Sequence, residues 1–147
     1  MYKRILVATD GSKLSKKAVT AAIGLATACK AELVALKITP RYAQSYFEGG
    51  TVIPVDDVER IEKQWAQDAQ KVVDDVKKAA TAKGINTKAL VVKADVVSDA
   101  LISTANKQKC DLIVMASHGR KGIKRLLLGS ETQHVLTHAG MAVLVLK

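Results

Sequence analysis

Leu112-Ile-Val-Met115, followed by Ala116-Ser-His-Gly119 and, ten residues further on, by Gly129-Ser-Glu-Thr132, is the stretch that decides how this chain folds. Four consecutive apolar positions make a segment too short for a core helix. They do not alternate with polar ones, which is the pattern of a strand covered on both faces. The same signature recurs at Ile5-Leu-Val-Ala8, Leu33-Val-Ala-Leu36, Leu90-Val-Val92 and Ala142-Val-Leu-Val-Leu146. Helical periodicity fills the gaps. Leu14, Ala18, Ala21, Leu25 and Ala28 follow Ser12, an N-cap residue type. Val58, Ile61, Trp65, Ala69, Val72 and Val76 repeat the spacing before Gly84, a helix stop. Val97, Leu101 and Ala105 mark a third helix, and a fourth runs from about Ser130 to Ala139 with Val135 and Leu136 inward. The order β-α-β-α-β-α-β-α-β predicts a doubly wound, Rossmann-like α/β fold: a five-stranded parallel sheet with helices on both faces. Right-handed crossovers then bring every strand C-terminus to one edge. No repeat, low-complexity tract or linker interrupts the pattern, so residues 1–147 are expected to form a single domain.

Composition narrows the function classes. A 48% hydrophobic, 25% charged chain of 147 residues can bury an adequate core without staples. No apolar run approaches the roughly 20 residues that span a bilayer, so no membrane role is expected. Met1-Tyr-Lys-Arg-Ile enters a strand-like run directly, without a signal peptide's apolar region and cleavage site. Two cysteines, Cys29 and Cys110, have neither metal spacing nor disulfide density and fit a reducing compartment. A cytoplasmic protein is the expectation. The net charge of +9 is spread along the chain, and only five residues are aromatic (Trp 1, Tyr 3, Phe 1). That leaves little for base stacking, so specific nucleic-acid binding is not expected.

Ligands of open parallel sheets bind outside the strand C-termini, where the strand order reverses. Two candidates fall there. The first strand runs into Ala8-Thr9-Asp10-Gly11-Ser12, where Asp10 either caps a helix or accepts hydrogen bonds from sugar hydroxyls. The fourth strand, ending at Met115 and Ala116, leads through Gly119 to Gly129-Ser130-Glu131-Thr132 at a helix start. Orphan N–H groups there carry partial positive charge and attract phosphate. The hydroxyls of Ser130 and Thr132 add donors, and Arg120 and Lys121 could neutralise further negative charge. An ordinary glycine-rich turn is the alternative. The segment from Thr39 to Val55 is longer than most α/β connections and either folds over a ligand or forms a surface loop.

Tyr2-Lys-Arg-Ile-Leu-Val-Ala-Thr-Asp10-Gly-Ser12, Asp111-Leu-Ile-Val-Met-Ala-Ser-His-Gly119 and Gly129-Ser-Glu-Thr-Gln-His-Val135 through Val143-Leu-Val145 resemble the universal stress proteins over the whole chain. The family's ATP-binding branch carries G-x2-G-x9-G-[ST]. Here Gly119 and Gly129 stand with nine residues between them, Ser130 follows, and Ala116 replaces the first glycine. The resemblance implies an adenine nucleotide alpha hydrolase-like fold and an ATP site, with magnesium or manganese accompanying the phosphates rather than held by protein side chains alone. By that resemblance Asp10, with Ala8 and Thr9 beside it, meets the ribose side, and the main chain of Ile38 meets the adenine edge. Met115, Ala116 and Gly119 line the nucleoside, and Gly129, Ser130, Glu131 and Thr132 hold phosphates. Glu131 is a departure: its carboxylate either points away or points in, where it weakens ATP or recruits a cation. Relatives pair the last strand with its copy, so Ala142 to Leu146 is expected to form a homodimer contact.

Three functional readings follow: an ATP-binding, nucleotide-responsive stress-response protein; a dimeric interaction module without nucleotide; and a slow ATPase. No nucleophile-base arrangement, H-I-G-H-like signature, P-loop or G-x-G-x-x-G turn supports an enzyme beyond weak hydrolysis. His118, His134 and His138 lack metal-ligand spacing with a third partner.

Overall fold

The computed structural model describes residues 1–41, 54–119 and 128–147. Nine elements alternate along them: β1 (Arg4–Ala8), α1 (Lys13–Cys29), β2 (Glu32–Thr39), α2 (Val55–Thr81), β3 (Thr87–Lys93), α3 (Val97–Lys107), β4 (Leu112–Ala116), α4 (Ser130–His138) and β5 (Ala142–Leu146). The strands form one parallel sheet in the order β3-β2-β1-β4-β5. From β1 the chain steps outward to β2 and β3, then crosses back to β4 and β5, so the winding reverses between β1 and β4. This is the doubly wound sheet that the apolar runs predict.

Side-chain alternation along the strands divides the core in two. Ile5, Val7, Leu33, Ala35, Leu112 and Val114 face α1 and α2. Leu6, Val34, Leu36, Ile113 and Met115 face α3 and α4. The strands read as continuous apolar runs because both faces are covered.

Local chemistry explains most boundaries. Ser12 caps α1, its side chain accepting from Ser15 N–H at 3.2 Å. Asp56 and Asp57 in the first turn of α2 complement its dipole. After α2, Gly84 turns at φ 75°, a left-handed conformation that costs glycine little. The edge strand β3 begins at Thr87, three residues before the apolar run that signals it, because pairing with β2 extends through its polar start.

Three helix faces differ from the spacing-based expectation. α1 buries Ser15, Ala18, Ala22, Ile23 and Ala26, while Ala28 is exposed. Small residues at every fourth position let the helix lie close to the sheet, leaving Leu14 and Leu25 at its margins. α4 is two turns long and presents one narrow stripe, Thr132 and Val135, so Leu136 is 41% exposed rather than inward. In α3, Leu101 and Ala105 are buried, but Val97 is 41% exposed. Of the connection from Thr39 to Val55, residues 42–53 lie outside the described residues; Thr39 closes β2 and Val55 opens α2.

Burial therefore ranks the apolar residues of α3. Leu101→Ala, at a position 1% exposed, should lower unfolding free energy by about 2–5 kcal/mol. Val97→Ala should cost about 0.5 kcal/mol or less. Urea denaturation of both variants checks the ranking, and equal losses would contradict it.

Candidate functional site

Because α1 leaves β1 toward one face and α4 leaves β4 toward the other, the two strand ends diverge. A cleft of about 470 Å³ opens between them. Ala8, Thr9 and Asp10 line it from β1, and Leu36 and Ile38 from β2. Met115, Ala116, His118 and Gly119 line it from the end of β4. Gly129, Ser130, Glu131 and Thr132 line it from the start of α4, and Val97 and Leu101 from α3. The cleft thus brings together every described candidate residue. Arg120 and Lys121 lie outside the described residues.

The β1 turn is held by its own polar groups. Asp10 Oδ1 accepts from Ser12 N–H at 2.9 Å, and Thr9 Oγ1 accepts from Gly11 N–H at 3.3 Å. Ser15 Oγ donates to Ser12 O at 2.9 Å, so its contact with Thr9 Oγ1 at 3.2 Å takes the Thr9 proton. Thr9 therefore contributes structure rather than a presented hydroxyl. Ser12 is the cap of α1 and Asp10 buttresses the turn before it. A methyl group on Gly119 would come within 3.1 Å of Asp10 Oδ2. The absent Cβ is what lets the end of β4 approach Asp10.

At Ile38 the main chain is exposed to the cleft by register. Leu33 N–H donates to Asn86 O and Thr39 O accepts from Ala94 N–H, so odd-numbered residues of β2 face β3. Leu36 O accepts from Thr9 N–H at 3.0 Å on the opposite side, where β1 ends its pairing. Ile38 shares the parity of Leu36, and no β1 residue stands opposite it. Its N–H and C=O point over the cleft.

Three groups at the start of α4 are engaged within the protein. Gly129 N–H donates to Ser117 O at 2.9 Å, so this group is engaged. Thr132 is 2% exposed, and its hydroxyl donates to the carbonyls of Ser117 at 3.0 Å and Ala116 at 3.3 Å rather than facing a ligand. Glu131 Oε2 accepts from Ser98 N–H in the first turn of α3 at 2.6 Å, so the carboxylate is held between the two helix starts. What remains at the cleft is the N–H groups of Ser130, Glu131 and Thr132. No described residue caps them. Gly129 itself has φ −59° and ψ 153°, a conformation open to any residue. A Cβ there would sit 3.4 Å from Ser117 O, an ordinary contact. Nothing in the described backbone requires glycine at this position.

Ser15, Leu36, Val97, Leu101 and His118 also line the cleft, although the sequence reading did not select them. Leu101 and Val97 carried a signal, their helical spacing, but it marks burial against a sheet and not which end of the sheet. Elsewhere, His134 and His138 stack at 4.1 Å, and His134 Nε2 meets Asp99 Oδ1 at 2.9 Å. Among the described residues no group of three or more His, Cys, Asp or Glu is placed to hold a metal ion. Burial pushes the Cys110 thiol up to about 11, against the lowering effect of Arg4, which makes it a packing residue. No helix among the described residues is long and apolar enough to cross a membrane.

A doubly wound α/β protein whose switch point carries a helix start that no described residue caps is the class these features define. Residues 1–147 match the universal stress protein family. The universal stress protein MJ0531 of Methanocaldococcus jannaschii is 33% identical over a 148-residue alignment, covering 100% of this chain and 83% of the relative. Among solved structures, MJ0577 of the same organism superposes with a TM-score of 0.84 at 25% identity, over 100% of this chain and 96% of the other. A universal stress protein solved in complex with cAMP superposes with a TM-score of 0.72 at 26% identity, covering 99% and 97%. This chain belongs to the universal stress protein family.

The backbone at Gly129 generates a direct test. Gly129→Ala should change stability by less than about 1 kcal/mol, because the gain from a less flexible unfolded chain opposes alanine's poorer fit at the N-cap. Thermal melts of wild type and variant check this, and a marked drop in melting temperature would show that the fold itself needs the glycine.

Proposed function

We propose that this chain is a nucleotide-responsive stress-response protein that binds ATP, with magnesium or manganese accompanying the phosphates, in the cleft between β1 and β4. The observation that carries the reading is the start of α4. Three consecutive N–H groups that no described residue caps follow a glycine at which the fold could accommodate a side chain. A helix N-terminus of this kind attracts phosphate, and leaving out the side chain gives the phosphate oxygens room. Ile38 supports adenine as the base. Its N–H and C=O form a donor–acceptor pair that matches adenine N1 and N6–H, whereas guanine presents the opposite order. Leu36, Val97, Leu101 and Met115 supply apolar walls for the ring. Asp10 faces the ribose hydroxyls, Ala8, Thr9, Ala116 and Gly119 shape the nucleoside pocket, and Ser130 adds a hydroxyl to the phosphate donors. A family member solved with cAMP supports an adenine nucleotide in this fold.

Calorimetric titration with ATP and GTP, each with magnesium, tests the reading. Wild type should favour ATP by at least tenfold, equivalent to about 1.4 kcal/mol. Gly129→Val, checked for folding by circular dichroism, should lose ATP binding, and unchanged affinity would overturn the phosphate assignment.

A second copy of the chain is the partner that β5 favours. It is an edge strand, paired only with β4, and Leu144 is 36% exposed along it. An apolar edge is a pairing hazard unless covered, and an isologous β5–β5 contact would cover it. Light scattering during size-exclusion chromatography should report about twice the 15.7 kDa chain mass. A monomer at tens of micromolar would refute the contact.

A further inference from the structure

We infer that Glu131 sets the charge selectivity of the cleft, favouring ligands of low phosphate charge and admitting ATP chiefly with a divalent cation. The inference rests on the nucleotide reading and goes beyond it. α3 begins after Val96, which has no side-chain oxygen to cap it. Glu131, at the second position of α4, supplies that oxygen from another helix, at 2.6 Å from Ser98 N. One fixed carboxylate therefore lies between two helix N-termini, its own and that of α3, and partly offsets the positive end of each.

The N–H of Glu131 is one of the three phosphate donors, so its charged side chain belongs to the same turn. Asp99, also in the first turn of α3, is occupied by His134 and does not compete for the Ser98 N–H. Each added phosphate charge on a ligand raises its repulsion from Glu131, and a bound divalent cation offsets it. Adenosine carries no such charge and should be indifferent.

Glu131→Gln separates charge from structure, because the amide oxygen can still accept from Ser98 N–H. Affinities for adenosine, AMP, ATP with EDTA, and ATP with magnesium are measured by calorimetry on both proteins. The variant should bind metal-free ATP about tenfold more tightly, with a smaller gain for AMP. Adenosine should stay within about twofold, and the benefit of magnesium should shrink. A purely structural role would shift adenosine and ATP together, and that result overturns the inference. So does an unchanged ratio of ATP to adenosine affinity. Failure of wild type and variant to bind any of the four ligands would overturn the nucleotide reading itself, and this inference with it.

Discussion

The carbonyl oxygen of Ser117 accepts two hydrogen bonds, from Gly129 N–H at 2.9 Å and from the Thr132 hydroxyl at 3.0 Å. Through them the first turn of α4 is fixed to the end of β4, although eleven positions separate Ser117 from Gly129. Gln133 N–H donates to Gly129 O and closes the same turn. The bond to Gly129 uses the one N–H that points back at the strand. The next three point over the cleft. The arrangement of the site thus follows from which donor the strand end consumes.

The opposite edge of the sheet is built differently. Asp111 accepts from Lys3 N–H at 2.8 Å and Arg4 N–H at 3.1 Å, binding the starts of β1 and β4 together. Arg4 reaches Gln108 O at 2.7 Å and Glu32 at 2.7 Å, drawing in the end of α3 and the start of β2. Its hydrogen bond to Glu32, followed by that of Asn86 and by the Arg4 charge, lowers the Glu32 carboxyl from its ordinary value. The two strands are stitched at their starts and part at their ends, because successive crossovers leave for opposite faces. A closed base with an open mouth is the mechanical basis of the cleft.

What could be read from the sequence was what is local. Consecutive apolar residues identify strands covered on both faces, Ser12 sits three residues from the N–H it caps, and Gly84 marks a turn by its own conformational freedom. Helix faces were less legible in α1, where small residues permit an approach that larger leucines would prevent. The fates of polar side chains at the cleft were not legible. Glu131 finds its partner at Ser98, 33 positions away on another helix. Thr132 looks like a ligand donor in any linear motif, yet the strand-end carbonyls beside it take its proton. The glycines also separate only in three dimensions: Gly119 leaves room for Asp10, whereas a Cβ at Gly129 would make only ordinary contacts with Ser117 and His118.

The contact between α3 and α4 forms one wall of the cleft. Ser98 and Asp99 are neighbours on α3, and the residues that meet them, Glu131 and His134, lie about one turn apart on α4. Below these polar bonds, Leu101, Ala105 and Val135 pack in one core cluster. The two helices are therefore joined at the cleft end by directional bonds and along their inner faces by close packing. Close-packed side chains resist independent sliding. The first turn of α4 is therefore tied to α3 through Glu131 as well as through the core.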